Sequence, residues 1–110
     1  MACQKGDIVL VPFPFTDLSA SKTRPAVVVS VEAFEIATGS VTVAMVTSQS
    51  CDTPFDCPLD DWRQANLRLP SWVRPKLATL HPSLVRYCPG RLSSGDLARV
   101  DQRLRLALGM

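Results

Sequence analysis

The chain has 110 residues, 46% of them hydrophobic and 20% charged, which predicts one compact domain over residues 1–110 with a single core. It has no apolar run long enough to cross a bilayer and no charged-then-apolar leader, so we expect a cytoplasmic protein. A formal net charge of +2 does not indicate an extended cationic surface for nucleic acid, but a small local cationic site is compatible with it.

Three apolar segments rich in β-branched residues predict strands, and each is bounded by Gly, Pro or Ser. They cover residues 8–13, 26–31 and 41–46, and a weaker extended segment covers residues 71–74. Their apolar character is nearly continuous rather than alternating, which indicates burial on both faces of a sheet. The fold class predicted from these elements is mainly β, with an α+β arrangement.

The segment between Gln49 and Pro70 carries four acids, two prolines and little periodicity. We interpret it as a long surface loop. The acids are Asp52, Asp56, Asp60 and Asp61.

The C-terminal segment predicts an amphipathic helix, since Leu97, Val100, Leu104 and Leu108 recur at helical spacing. Its first turn has the pattern of a capping box, in which Ser93 caps the helix and Asp96 follows three residues later. Gly109 is typical of a helix end. Arg99 and Arg103 are predicted to lie on the solvated side, and we assign them no function.

Four cysteines stand at Cys3, Cys51, Cys57 and Cys88. Without a secretion signal they are expected to be reduced thiols, although four thiols allow three disulfide pairings. A zinc site built from three of them and His81 is the alternative. The five residues between Cys51 and Cys57 do not have the usual spacing of a zinc knuckle, so no metal and no cofactor are predicted.

The second and third strands read as an antiparallel hairpin, and the register that pairs Ser30 with Val41 also places Arg24 opposite Thr47. Directly opposite residues share a face and lie within side-chain reach. Pro25 restricts Arg24 to an extended backbone, so its side chain starts from a fixed position. A guanidinium and a hydroxyl are therefore expected together at the open end of the hairpin.

Such a pair suits phosphoryl chemistry, because guanidinium binds phosphate oxygens through bidentate charge-assisted hydrogen bonds and a hydroxyl can donate to another oxygen. The structural alternative is that Arg24 caps the first loop or pairs with Asp17. Thr47 would then satisfy backbone groups at a strand end. Spacing by itself leaves both interpretations open.

Four motifs in order resemble the MazF/PemK family of toxin endoribonucleases, and the resemblance covers essentially the whole chain. They are the opening from Gly6 to Ser30 with its Arg24-Pro25, the Val46-Thr47-Ser48 triplet, the block from Pro70 to Leu80, and the terminal segment from Gly90 to Val100. The resemblance implies a small SH3-like barrel of the MazF/Kid/CcdB type with a C-terminal α-helix. It further implies a cytoplasmic homodimer that is the toxin of a type II toxin–antitoxin pair and is silenced by a disordered segment of its cognate antitoxin.

The activity that the resemblance implies is metal-independent cleavage of single-stranded RNA such as mRNA, which stops translation and growth. The 2′-hydroxyl attacks phosphorus and leaves a 2′,3′-cyclic phosphate and a 5′-hydroxyl. Arg24 and Thr47 match the family's catalytic positions, with Arg24 meeting the developing charge and Thr47, together with Ser48, positioning the phosphate. Arg74 is a second cationic candidate, and its alternative is a solvent-facing strand residue.

The first loop is expected to help hold the RNA. Phe15 would stack on a base, Lys22 would meet a phosphate, and Asp17 is a weaker candidate for the proton acceptor. Some family members carry an acid shortly after the arginine that corresponds to Arg74, whereas this chain has Pro75 and Lys76. The general base is therefore unassigned.

Two other functions compete with the ribonuclease. One is a non-catalytic module that binds RNA or protein on the same barrel, which the missing acid and the modest positive charge favour. The other is a gyrase poison of the CcdB type, in which the C-terminal residues engage the enzyme. The tail of this chain ends in Leu108, Gly109 and Met110 and lacks the aromatic residue found in that subgroup. RNA turnover separates the first alternative from the ribonuclease.

Overall fold

The computed structural model describes residues 3–12, 23–50 and 52–110, and a six-stranded antiparallel sheet with the order β4-β5-β3-β2-β1-β6 forms its centre. The predicted mainly β fold with a C-terminal helix is confirmed. The strands are β1 (Asp7–Pro12), β2 (Thr23–Val28), β3 (Val41–Thr47), β4 (Cys57–Pro58), β5 (Trp72–Leu80) and β6 (Tyr87–Arg91), and the helices are α1 (Glu32–Thr38), α2 (Ser94–Leu108) and a 3-10 turn (Pro82–Leu84).

Both faces of the central strands are buried, as their continuous apolar sequences predicted. One face carries Ile8, Val27 and Ala44 and packs against Val100 and Leu104 of α2. The opposite face forms a second cluster from the alternate residues of the same strands: Val9, Val11, Ala26, Val28, Val41 and Val43. Alternation along each strand thus divides one apolar run between two cores.

The connection between β2 and β3 differs from the predicted turn, because it contains the helix α1. No side chain caps its first turn, and none of its residues is buried. Gly39 ends it in the left-handed conformation, with φ of 71°. A single short helix without an apolar stripe leaves little signal in the sequence.

Strand β5 continues six residues beyond the extended segment that was predicted to end at Arg74. Its pairing with β3 passes from Ala44 opposite Leu77 to Met45 opposite Arg74, so Pro75 and Lys76 form a bulge. A bulge is one of the few places where a sheet accepts proline, since the residue there need not donate to the ladder. The proline therefore interrupts the pairing without ending the strand.

The acidic segment between β3 and β5 is anchored to α2. Most of its described residues are exposed, as the prediction of a surface loop over residues 49–70 requires, but it also contains the short strand β4. Asp96 has 0% of its surface exposed, and its carboxylate accepts the backbone N–H groups of Asp60 at 3.1 Å and Asp61 at 2.9 Å. Arg99 pairs with Asp96 and Asp60. Arg103 donates to two loop carbonyls. Both arginines therefore bind this segment instead of forming a solvated face.

The ends of α2 agree with the sequence in most respects. Ser93 Oγ accepts the N–H of Asp96 at 3.2 Å, and Gly109 closes the helix in the left-handed conformation. The reciprocal half of the predicted capping box is absent among the described contacts, because the Asp96 carboxylate is used by the loop. Neither α-helix in the described ranges has the length and apolarity needed to cross a membrane.

The edge strand β6 approaches the loop before β5 very closely at Gly90. A Cβ built on Gly90 would lie 2.4 Å from the carbonyl oxygen of Ala65. Asn66 stabilises the same contact, because its side-chain amide donates to the carbonyl of Pro89 at 2.6 Å. Only a glycine lets the two backbones come this near.

Gly90→Ala is expected to lower the free energy of unfolding by about 1–3 kcal/mol, the usual cost of forcing an extra methyl group into a packed site. Gly95→Ala is the matched control, since a Cβ at Gly95 meets nothing within 4 Å and alanine is the better helix former. Urea denaturation of both variants measures the difference. Equal stability of the two would contradict the close approach.

Candidate active site

The pairing of β2 with β3 has the register that was predicted to bring Arg24 and Thr47 together. Ala26 lies opposite Met45, Val27 opposite Ala44 and Val28 opposite Val43. The pairing ends at Ala26 and Met45, and its continuation by two residues along both strands would set Arg24 opposite Thr47. Side chains directly opposite each other share one face, with Cβ atoms about 4.5–5.5 Å apart.

Strand β5 adds Arg74 to the same face. Met45 is paired with Ala26 on one side and with Arg74 on the other, and Thr47 is paired with Trp72. Arg74 is therefore a diagonal neighbour of Thr47, a separation that a long side chain spans. The backbone positions of Arg24, Thr47 and Arg74 therefore lie on three adjacent strands, β2, β3 and β5.

The guanidinium of Arg24 is open to a ligand. Arg24 is exposed, and no carboxylate among the described residues lies within ion-pair distance of it. Asp17, the partner that the structural alternative proposed, lies outside the described residues. Arg24 starts from β2, so the sheet fixes its backbone while its charge faces solvent.

The hydroxyl of Thr47 is held in a defined orientation. Thr47 is half-buried, and its Oγ1 accepts the backbone N–H of Gln49 at 3.1 Å. A hydroxyl has one donor and two acceptor positions, so this contact leaves the O–H available to donate. An anion bound between Arg24 and Thr47 can therefore receive a hydrogen bond from each residue.

The remaining predicted binding residues divide into two groups. Ser48 follows the last residue of β3 and is exposed beside Thr47. Phe15, Asp17 and Lys22 lie outside the described residues, so their predicted contacts with RNA stay predictions.

Arg74 has a partner that the sequence analysis missed. Its Nε donates to Asp56 Oδ1 at 3.0 Å, and Asp56 is only 2% exposed. The alternative prediction for Arg74 was a solvent-facing strand residue. The side chain is indeed 35% exposed, but it also forms an ion pair, which that prediction did not include. The spacing of Thr53 and Asp56 is a local sequence signal for a turn between these two residues. No sequence pattern indicates that this turn contacts β5.

A groove of about 210 Å³ opens beside Arg74. Phe55 forms part of its wall, the β5 bulge contributes Lys76, and the end of α2 contributes Ala107. Bulges often re-aim side chains next to functional sites. Here the bulge places a second cation close to Arg74 on the rim of the groove.

Thiol and metal chemistry find no support in the described residues. Burial raises the pKa of the Cys3, Cys57 and Cys88 thiols, with the Glu35 charge adding to the effect at Cys3, so these thiols stay protonated at neutral pH. No three or more potential metal ligands cluster among the described residues, which leave out Cys51. The ring of His81 bonds to Ser83 in the 3-10 turn.

Comparisons with known proteins show the family of the chain and its fold. The sequence profile of the PemK-like, MazF-like toxin of type II toxin–antitoxin systems matches residues 4–108. A search of curated proteins gave no match.

Solved structures with the same fold include MazF toxins from Deinococcus radiodurans. One MazF structure from that organism has 26% identity and a TM-score of 0.78, with 100% of this chain and 99% of the other covered. A MazE–MazF structure from the same organism has 27% identity, a TM-score of 0.78 and the same coverage.

A mycobacterial endoribonuclease in complex with its cognate antitoxin also shares the fold. Its TM-score is 0.81 at 17% identity, with 99% of this chain and 97% of the other covered. The profile match over nearly the whole length shows that the chain belongs to the PemK-like, MazF-like toxin family of type II toxin–antitoxin systems.

Proposed function

We propose that the protein is a metal-independent endoribonuclease that cleaves single-stranded RNA, including mRNA, in the cytoplasm and thereby stops translation and growth. The observation that supports this proposal is the register of β2, β3 and β5 in a member of a toxin family, because its continuation to the strand ends would bring Arg24, Thr47 and Arg74 close together. A mycobacterial protein with the same fold is itself an endoribonuclease.

The proposed reaction is attack by the 2′-hydroxyl on the adjacent phosphorus, which expels the 5′-oxygen of the next nucleotide. The products are a 2′,3′-cyclic phosphate and a 5′-hydroxyl. Negative charge accumulates on the phosphorus oxygens as the new bond forms. Preorganised cations and hydrogen-bond donors stabilise that charge most when they do not have to move.

The site residues divide this work by their chemistry. Arg24 supplies a bidentate guanidinium to the phosphate oxygens, and Thr47 donates a further hydrogen bond from a hydroxyl held by Gln49. Arg74 supplies a second positive charge from β5. A guanidinium group has hydrogen-bond donors and no acceptor, so both arginines stabilise charge and neither accepts the proton.

Two partners belong to the proposal besides RNA. A cognate antitoxin is expected because structures of MazF toxins and of a mycobacterial endoribonuclease contain one. A second copy of the chain is expected because the family resemblance implies a homodimer.

Arg24→Ala is expected to lower kcat on single-stranded RNA by about 10²–10³-fold, the usual loss when a donor to transition-state charge is removed. The free energy of unfolding should not change, because Arg24 is exposed and its truncation removes no core volume. Arg24→Lys is the matched control, and it should retain part of the activity because it keeps the charge without the planar fork. A folded Arg24→Ala protein that turns over at the wild-type rate would contradict the assignment.

A single 2′-deoxy substitution on the 5′ side of a mapped cut site is expected to abolish cleavage there, because it removes the attacking oxygen. Cleavage of the unmodified RNA should continue in EDTA and should leave 5′-hydroxyl ends. End mapping of both RNAs measures the outcome. Cutting at the 2′-deoxy position would require a different nucleophile and would overturn the mechanism.

The purified protein is expected to sediment as a dimer, with twice the chain mass of 12.0 kDa. Sedimentation velocity at micromolar concentration tests this. A single species with the mass of the monomer would count against a stable homodimer.

A further inference from the structure

We infer that Asp56 is a positioning residue, which holds the guanidinium of Arg74 so that its outer edge faces a phosphate of the bound RNA. The inference rests on the proposed ribonuclease function. It assigns a purpose to a buried acid that the proposed chemistry leaves unused.

The contact joins the buried carboxylate of Asp56 to the partly exposed guanidinium of Arg74. Asp56 Oδ1 lies 3.0 Å from Arg74 Nε, and the exposed fractions of the two side chains are 1% and 35%. The acid is thus inside the protein while the guanidinium reaches from it towards solvent. A pair in this arrangement orients the exposed partner from the buried one.

Asp56 is itself held from two directions. Its Oδ2 accepts the Thr53 hydroxyl at 2.6 Å and the Thr53 N–H at 3.3 Å. Its backbone carbonyl accepts Arg103 Nη1 at 2.6 Å, and the same nitrogen donates to the carbonyl of Pro54 at 3.0 Å. Thr53 in the turn thus holds the carboxylate of Asp56, and Arg103 of helix α2 holds the backbone of the turn.

The atom through which Arg74 binds matters for the inference. Arginine has five N–H donors in a planar fork, and Asp56 engages the one on Nε. No acceptor in residues 3–12, 23–50 or 52–110 bonds to either Nη atom of Arg74. The edge that carries the two Nη atoms matches the oxygens of a phosphate, so Asp56 leaves the phosphate-binding edge open.

The burial of Asp56 argues against the other role that an acid can have in this reaction. A general base must come within hydrogen-bond reach of the proton that it removes. Both oxygens of Asp56 already accept hydrogen bonds from within the chain, and the residue is 2% exposed. Its contribution is therefore orientation of Arg74 and not proton transfer.

The charge of Asp56 makes the inference testable. A carboxylate next to Arg74 weakens the attraction of this region for phosphate, so its removal should not weaken RNA binding. Its removal should impair catalysis, because a misplaced guanidinium stabilises the transition state less well. Loss of a residue that only supports the fold would leave kcat unchanged in a protein that still folds.

The experiment measures kcat and KM on a short oligonucleotide that carries a cut site mapped with the wild-type protein. Asp56→Asn is expected to lower kcat about tenfold with no rise in KM, since an amide offers one acceptor oxygen and cannot serve both Arg74 and Thr53. Asp60→Asn is the matched control: it removes the charge of an acid in the same loop that pairs with Arg99 and not with Arg74, and kcat should change less than twofold.

A double-mutant cycle identifies the residue through which Asp56 acts. In an Arg74→Ala background, Asp56→Asn should cause no further loss of kcat, because the group that it positions is gone. Additive losses would overturn the inference, as would a wild-type kcat in folded Asp56→Asn protein. If Asp56→Asn fails to fold, Arg74→Lys decides: it keeps the ion pair but lacks the second edge, and a wild-type kcat for it would overturn the inference.

Failure of the inference and failure of the proposed function give different results. Wild-type cleavage that is lost in Arg24→Ala but unchanged in Asp56→Asn overturns the role of Asp56 and leaves the ribonuclease intact. Absence of cleavage by the folded wild-type protein across varied single-stranded RNAs overturns both.

Discussion

The candidate site depends on the antiparallel pairing of β2 with β3. The proposal that Arg24 meets Thr47 follows from Ala26 standing opposite Met45, and Arg74 enters it because Met45 is also paired with β5. A slip of one residue would turn the side chains of an entire strand to the other face. The site therefore depends on backbone hydrogen bonds that lie well inside the sheet.

Side-chain hydrophobicity does little to set that register. In many sheets the alternation of apolar and polar residues fixes the pairing, but here both faces of the central strands are apolar. The closure of the hairpin supplies the constraint instead. Val29 N donates to Thr42 O at 2.9 Å, and Ser30 Oγ accepts Thr42 N at 3.0 Å, directly beside the helix α1 that connects the strands.

The sequence predicted the parts of the structure that depend on local pattern. Strands β1 to β3, the helix α2 and the register that pairs Ala26 with Met45 follow from apolar runs, caps and the hairpin pattern. What it did not predict depends on contacts across the fold. The continuation of β5 past Pro75 needs a bulge against β3, and the burial of Asp56 needs Arg103 and Arg74, which lie 47 and 18 residues away along the chain.

The same contacts explain why an acid-rich loop can stand next to a proposed RNA site. Four acids in residues 49–70 would repel phosphate if all of them faced it. Asp56 is turned inward onto Arg74, and Asp60 binds Arg99 on the α2 side. Helix α2 thus holds the loop through Asp96, Arg99 and Arg103, while β5 presents Arg74 and Lys76 at the groove. Asp56 and Asp60 are thus directed to partner arginines, while Arg74 and Lys76 line the groove. A chain with little net charge therefore still offers a cationic edge at the end of the sheet.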